Sequence, residues 1–200
     1  MRSKSRLALI AATAVAALGL TACGGAAAPG GDNPSGGSTA PVTMKLAHNQ
    51  TETHTTHKVL TAMGEKINAE TDGRWNIQVY PNSTLGNQNE YLSSVSTGVV
   101  DMAVVSAPQL ENLNKDFVIF SVPKVFDGID HQMKVLSDEA IVGDIYKSLE
   151  STNNLTVLGG LTQGARSVYT KDAPAETPAA LAGKKIRVQE SPVFIAMINA

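Results

Sequence analysis

Three of the chain's four histidines fall within AHNQTETHTTHK, residues 47–58: His48, His54 and His57. Imidazoles bind metals and carry protons near neutral pH. On a helix, His54 and His57 are three residues apart and face roughly the same way. Two neutral imidazoles without a cysteine or a neighbouring aspartate nevertheless make a poor ligand set. The stretch is also crowded with threonines, which cap the free amides of a helix's first turn. The sequence therefore reads these histidines as polar residues of a helix start, and no metal is expected.

Arginine offers the second chemistry, because the chain has so little of it. Beyond residue 22 there are Arg74, Arg166 and Arg187. Arg74 follows Gly73 in a turn and reads as solvated. Arg187 sits between Ile186 and Val188 in the apolar run KKIRVQ. A guanidinium buried there needs a partner, since an unpaired buried charge is very costly. Its planar fork of donors suits a carboxylate held by two hydrogen bonds. The alternatives are that Arg187 points off the outer face or pairs with a distant acid, and the residues alone leave these open. Asn49, Gln50 and Thr51 lie just past a predicted strand and before a predicted helix. In open α/β sheets ligands bind at that edge, and the helix amides favour an anion. An ordinary turn is the competing reading.

Enzymatic constellations are missing from the sequence. There is no G-x-S-x-G, no cysteine placed as a nucleophile, and no dinucleotide or P-loop glycine pattern. Asp101, Asp116, Glu139 and Glu190 show no recognisable pairing. The chain is read as a non-enzyme without a cofactor.

The elements that must position these residues alternate. VTMKLA (42–47) reads as a strand. Val59, Leu60, Met63 and Ile67 recur at helical spacing, which predicts a helix over 54–70 with Gly73 as its stop. WNIQVY (75–80) alternates as a strand, 81–86 is turn-rich, and a short helix ends near Gly98. VVDMAVVSA (99–107) reads as a strand buried on both faces. FVIFSVP (117–123) is a further strand candidate, and 130–152 predicts two helices parted near Ser137. LTVLGGL (155–161), ARSVYT (165–170) and KKIRVQ (184–189) read as strands. Thr177-Pro178 starts a short helix closed by Gly183, and Ser191-Pro192 opens a last one. This pattern predicts an α/β fold with a mostly parallel sheet. The chain stops inside that last helix at IAMINA with no capping signal, so it reads as a fragment.

The first 41 residues predict an address and a tether. Arg2, Lys4 and Arg6 precede an apolar run from Leu7 to Leu20 that is too short to span a bilayer comfortably. The run ends in Leu20-Thr21-Ala22-Cys23, which resembles the lipobox of bacterial lipoproteins. That resemblance makes 1–22 a signal peptide and Cys23 the lipidated residue. Cys23 is the chain's one cysteine, so no intrachain disulfide is possible. Residues 23–41 are rich in Gly, Ala, Ser and Pro, with nothing to bury, and read as a flexible tether. The expected location is extracytoplasmic, lipid-anchored to the outer face of the cell membrane or periplasmic. Membrane contact is expected through the lipid alone. Without the leader's three basic residues, 13 basic side chains remain against 18 acidic ones, a charge of −5. Such a body argues against nucleic acid as a partner.

LAHNQ, VYPNSTLGNQNE, GVVDMAVVS and LAGKKIRVQESPVF, in that order, resemble the solute-binding proteins of tripartite ATP-independent periplasmic (TRAP) transporters, of the C4-dicarboxylate-binding type. The resemblance implies a periplasmic-binding-protein-like two-lobed clamp that closes on an organic acid and delivers it to a membrane permease pair. It assigns 42–163 to a first α/β lobe, mostly present, and 164–200 to the start of a second. It implies Arg187, in the K-I-R-V motif, as the holder of a ligand carboxylate. Arg166, in a G-x-R pattern, is implied as a second contact. Asn49, Ser106 and Gln88 are implied as further polar contacts. Members with sialic-acid-like ligands tend to carry an acid near the Ser106 position, so ligand identity stays open. Family chains are longer, which implies that 200 residues alone bind weakly or not at all. The alternatives are a binding component of an ATP-driven importer, or an extracytoplasmic lipoprotein enzyme or sensor.

Overall fold

The computed structural model describes residues 40–171 and 173–200. The signal-peptide, lipidation and most of the tether readings, Cys23 included, lie outside the described residues. The first half builds a three-stranded parallel sheet in the order β2-β1-β3, from β1 (Val42–Ala47), β2 (Trp75–Tyr80) and β3 (Met102–Ala103). Helix α1 (Thr55–Glu70) crosses from β1 to β2, and α2 (Gln88–Ser96) crosses from β2 to β3.

Alternation along β1 distributes the core. Successive side chains on a strand point to opposite faces. Leu46 accordingly packs with Leu60 of α1 and Ile77 of β2. Ala47, one residue on, packs with Tyr91 of α2 and Val100. The sheet is thus covered by α1 on one side and α2 on the other, as a parallel sheet requires. Gly64 makes the first contact possible: a Cβ there would lie 3.2 Å from Ile77 Cβ. Tyr91 is fully buried, and its hydroxyl donates to the Val104 carbonyl at 3.0 Å. Burial pushes that phenol up to about 12. Asn87 begins α2 with a complete capping box: its side chain accepts from the Glu90 amide, and the Glu90 carboxylate accepts from the Asn87 amide.

Beyond β3 the chain turns helical. One-turn α3 (Ala107–Leu110) leads to a 3-10 helix at Lys115–Ser121. Then follow α4 (Ile129–Ser137), α5 (Glu139–Lys147) and α6 (Glu150–Asn153). Leu110, Phe117, Leu149 and Leu155 form the third core cluster. A second 3-10 helix, Pro178–Leu181, and α7 (Pro192–Asn199) complete the chain.

Several predicted strands are corrected. FVIFSVP is mostly the 3-10 helix, because the Asn114 side chain accepts from the Asp116 amide and starts a tight turn. Of 99–107 only Met102 and Ala103 are laddered to β1. Ahead of them the Asp101 carboxylate accepts from the Lys45 amide at 2.7 Å, a side chain standing in for a strand partner. Residues 155–161, 165–170 and 184–189 form no strand among the described residues. A strand is defined by pairing, and no neighbouring strand hydrogen-bonds to these segments here.

Candidate functional site

In a parallel sheet every strand delivers the chain to the same edge, and that edge is where this fold gathers polar residues. Asn49 lies two residues past β1. Gln88 opens α2 after β2, and Ser106 caps α3 three residues past β3. Two of these meet directly: the Ser106 amide donates to Gln88 Oε1 at 2.7 Å. Ser106 makes no side-chain capping bond. Asn49 is exposed, and its Oδ1 accepts from Gln50 Nε2 at 3.3 Å.

The loop after β2 is fastened to the loop after β1. The Ser83 amide donates to the His48 carbonyl at 3.1 Å, and the Asn82 amide to the Gln50 carbonyl at 2.9 Å. To do so, Asn82 and Ser83 both take left-handed backbone, at φ 56° and 57°. Two consecutive non-glycine residues there carry local strain, which the surrounding bonds must hold.

The histidines divide. His54 caps α1, its ring Nδ1 accepting from the Thr56 amide at 3.1 Å, as expected of a helix start. His48 does not fit the polar-turn reading, being only 1 % exposed. Its Nδ1 accepts from the Gln50 amide at 3.1 Å, so the neutral ring carries its proton on Nε2. That proton faces His57 Nδ1 at 3.1 Å. His57 Nε2 then lies 3.5 Å from Thr61 Oγ1. Burial, with His57 and His54 adding to it, holds His48 below the usual imidazole range. The placement follows from alternation: His48 is two residues from Leu46, on the α1 face, where His57 precedes Leu60 by one helical turn. Among the described residues no group of three or more His, Cys, Asp or Glu is arranged to hold a metal ion.

Arg187 lies in an unladdered segment between half-buried Ile186 and Val188, with its own side chain exposed. It is therefore not enclosed within a strand, as the apolar run suggested. No acid forms an ion pair with Arg187 or Arg166 among the described residues. Arg166 is also exposed, and its guanidinium carbon lies 5.9 Å from the ring centre of Phe194 on α7. That is within cation–π range. Among the described residues, no hydrogen bond joins either arginine to Asn49, Gln88 or Ser106.

The chain has solved and curated relatives. A TRAP periplasmic solute-binding protein from Anaerococcus prevotii, with bound α/β-D-glucuronate, superposes with a TM-score of 0.74 at 34% identity. The match covers 78% of this chain and 51% of that one. The 2,3-diketo-L-gulonate-binding periplasmic protein YiaO of Escherichia coli is 30% identical over 159 residues, which are 80% of this chain and 48% of its own. The C4-dicarboxylate-binding periplasmic protein DctP of Vibrio cholerae is 27% identical over 79% of this chain and 47% of its own. The chain thus spans about half the length of the relatives it matches. Residues 46–200 match the family described as bacterial extracellular solute-binding protein, family 7 (DctP). With a mixed α/β fold shared with TRAP binding proteins and a family match from β1 to the last residue, the chain belongs to the family 7 extracellular solute-binding proteins, the solute-binding components of TRAP transporters.

Proposed function

We propose that this chain supplies the capturing surface of an extracytoplasmic receptor for a carboxylate-bearing organic acid, a uronate-like sugar acid foremost. The receptor hands its ligand to a TRAP-type membrane permease. The observation that carries this reading is the family match over residues 46–200, a span that includes Arg187, an arginine in no ion pair among the described residues. A fork of donors without an internal acid is free to accept a ligand carboxylate in two hydrogen bonds. Arg166 supplies a second positive charge. Asn49, Ser106 and Gln88 offer amide and hydroxyl groups at the sheet edge, suited to the hydroxyls of a sugar acid. Glucuronate in the Anaerococcus prevotii protein and diketogulonate in the name of the Escherichia coli protein favour a sugar acid over a C4 dicarboxylate.

In this reading residues 42–163 form most of one lobe and 164–200 begin the other. Closure of the lobes takes the ion pair out of water and strengthens it. Lipidation at Cys23 and the 23–41 tether keep the receptor at the membrane face. Capture belongs to the full-length gene product. The 200-residue chain alone binds weakly or not at all, and a micromolar affinity measured on it would count against the two-lobed assignment.

The test is a thermal-shift screen of the full-length gene product with D-glucuronate, D-galacturonate and succinate, followed by calorimetry. A uronate should raise the melting temperature and be recovered chemically unchanged. Arg187→Ala should cost about 2–5 kcal/mol of binding free energy while the circular dichroism spectrum is retained. If no organic acid shifts the melting temperature, or if the variant binds like the wild type, this function is refuted.

A further inference from the structure

Among the described residues, one carboxylate, that of Glu111, is buried and forms no ion pair. Glu111 is 2 % exposed, at the C-terminal end of α3. A buried carboxylate is expensive unless its oxygens are met by donors. Here each oxygen is met by a serine hydroxyl: Ser121 donates to Oε1, and Ser191 donates to Oε2 at 2.8 Å. Ser191 is itself fully buried and caps α7, its Oγ accepting from the Val193 amide at 3.3 Å. A continuous run of donors therefore passes from the first turn of α7, through Ser191, into Glu111. The positive end of the α7 dipole favours the negative charge it reaches.

The two ends of this connection are not arbitrary. Glu111 is five residues past Ser106, across the single turn of α3. Ser191 is four residues past Arg187, where the unladdered segment meets α7. The residues joined are 80 positions apart in sequence. Among the described residues the segment 184–189 has no strand partner, and the Ser191–Glu111 bond ties the residues just past it to α3. Helix α7, held at its start by the same bond, carries Phe194 beneath the Arg166 guanidinium.

We infer that Glu111 is a positioning residue for ligand capture: through Ser191 it holds the Arg187 segment and the α7 end at a set distance from the Ser106 edge. The inference rests on the carboxylate-binding reading above. A buried charge suits this task better than an apolar contact, because it is satisfied in one geometry and strongly unsatisfied in others. Glu111 touches no ligand; it fixes where Arg187 waits.

The test uses the full-length gene product, with D-glucuronate as the probe. Affinity is measured by calorimetry, and the order of the Arg187 side chain by the heteronuclear NOE of its Nε–H signal. Ser191→Ala should weaken binding about tenfold, as expected if the arginine occupies its working position in about a tenth of molecules. The same change should lower the Arg187 NOE in the ligand-free protein. Glu111→Leu should repeat both effects. Glu111→Gln keeps the shape, one oxygen for Ser191 and an amide that can donate to Ser121, so it should stay within about twofold of the wild type on both measures. Unchanged affinity and NOE in Ser191→Ala would overturn the inference. So would a lowered melting temperature with an unmoved Arg187 signal, because that is a stability role alone. Should Glu111→Leu fail to fold, Ser191→Ala decides. If the wild type binds no organic acid, the carboxylate reading falls, and the NOE of the ligand-free protein still decides whether this bond orders Arg187.

Discussion

The stretch from β1 to β3 and the stretch from 155 to 200 are made of similar residues and end in different states. In the first, Leu46, Ala47, Leu60, Ile77 and Tyr91 are all buried, and two parallel ladders run along β1. In the second, Leu158 is 79 % exposed and Tyr169 92 %, and no ladder forms among the described residues. Apolar, β-branched composition occurs in both. What differs is the neighbour: β1 has a strand on each side and a helix on each face, whereas LTVLGGL and ARSVYT have no paired strand among the described residues, and only the start of LTVLGGL, at Leu155 and Val157, reaches a core cluster. Burial and pairing, not strand-like composition, make a strand.

The largest effect should come from truncating the same side chain in each region. Leu46→Ala should cost about 2–5 kcal/mol of unfolding free energy, because it leaves a cavity between α1 and the sheet. Leu158→Ala should stay within about 0.5 kcal/mol in this 200-residue chain. Equal losses in denaturant titrations would erase the distinction. Amide exchange should show the same contrast, with β1 amides protected up to the global stability and those of 165–170 exchanging early.

Asn87→Ala should cost about 1 kcal/mol, since it removes the acceptor for the Asn89 and Glu90 amides at the start of α2. A helix start resting on its own cap feels that loss; an unchanged melting temperature would mean tertiary packing alone holds α2.

The smallest effect is a slope. His48 is held below its ordinary value of 6.5, so near that pH the folded chain binds fewer protons than the unfolded one. Stability linked to His48 is therefore present above about 6.5 and is lost as pH falls below it. Melting temperature should decline from pH 7 to pH 5, and His48→Gln should flatten that decline. A decline of the same steepness in the variant would assign it to other groups.

Much of the first region was legible because its signals are local. The 3.6-residue spacing of Leu60, Met63 and Ile67 and the alternation in WNIQVY each lie within a few residues, as does the Ser191-Pro192 helix start in the second region. The rule for parallel sheets set Asn49 at the sheet edge, whereas Gln88 and Ser106 were named through the resemblance alone. The 3-10 helix at 115–121 was misread because Phe117, Val118, Ile119 and Phe120 have strand-like composition, while the deciding cap is the single side chain of Asn114. His48 was misread because its partner is on another element, although its step from Leu46 pointed it there. Glu111 was invisible for a stronger reason: nothing near it in sequence announces a serine 80 positions away.

Because Leu46 faces one helix layer and Ala47 the other, β1 works as a keel with no slack. Inserting a single residue ahead of Leu46 would exchange the two layers' contacts at once and turn Asn49 to the opposite side of the sheet. The polar sheet edge cannot drift along the strand while the core stays put, so variation at that edge is channelled into side-chain replacement at fixed stations and into the loops beyond them.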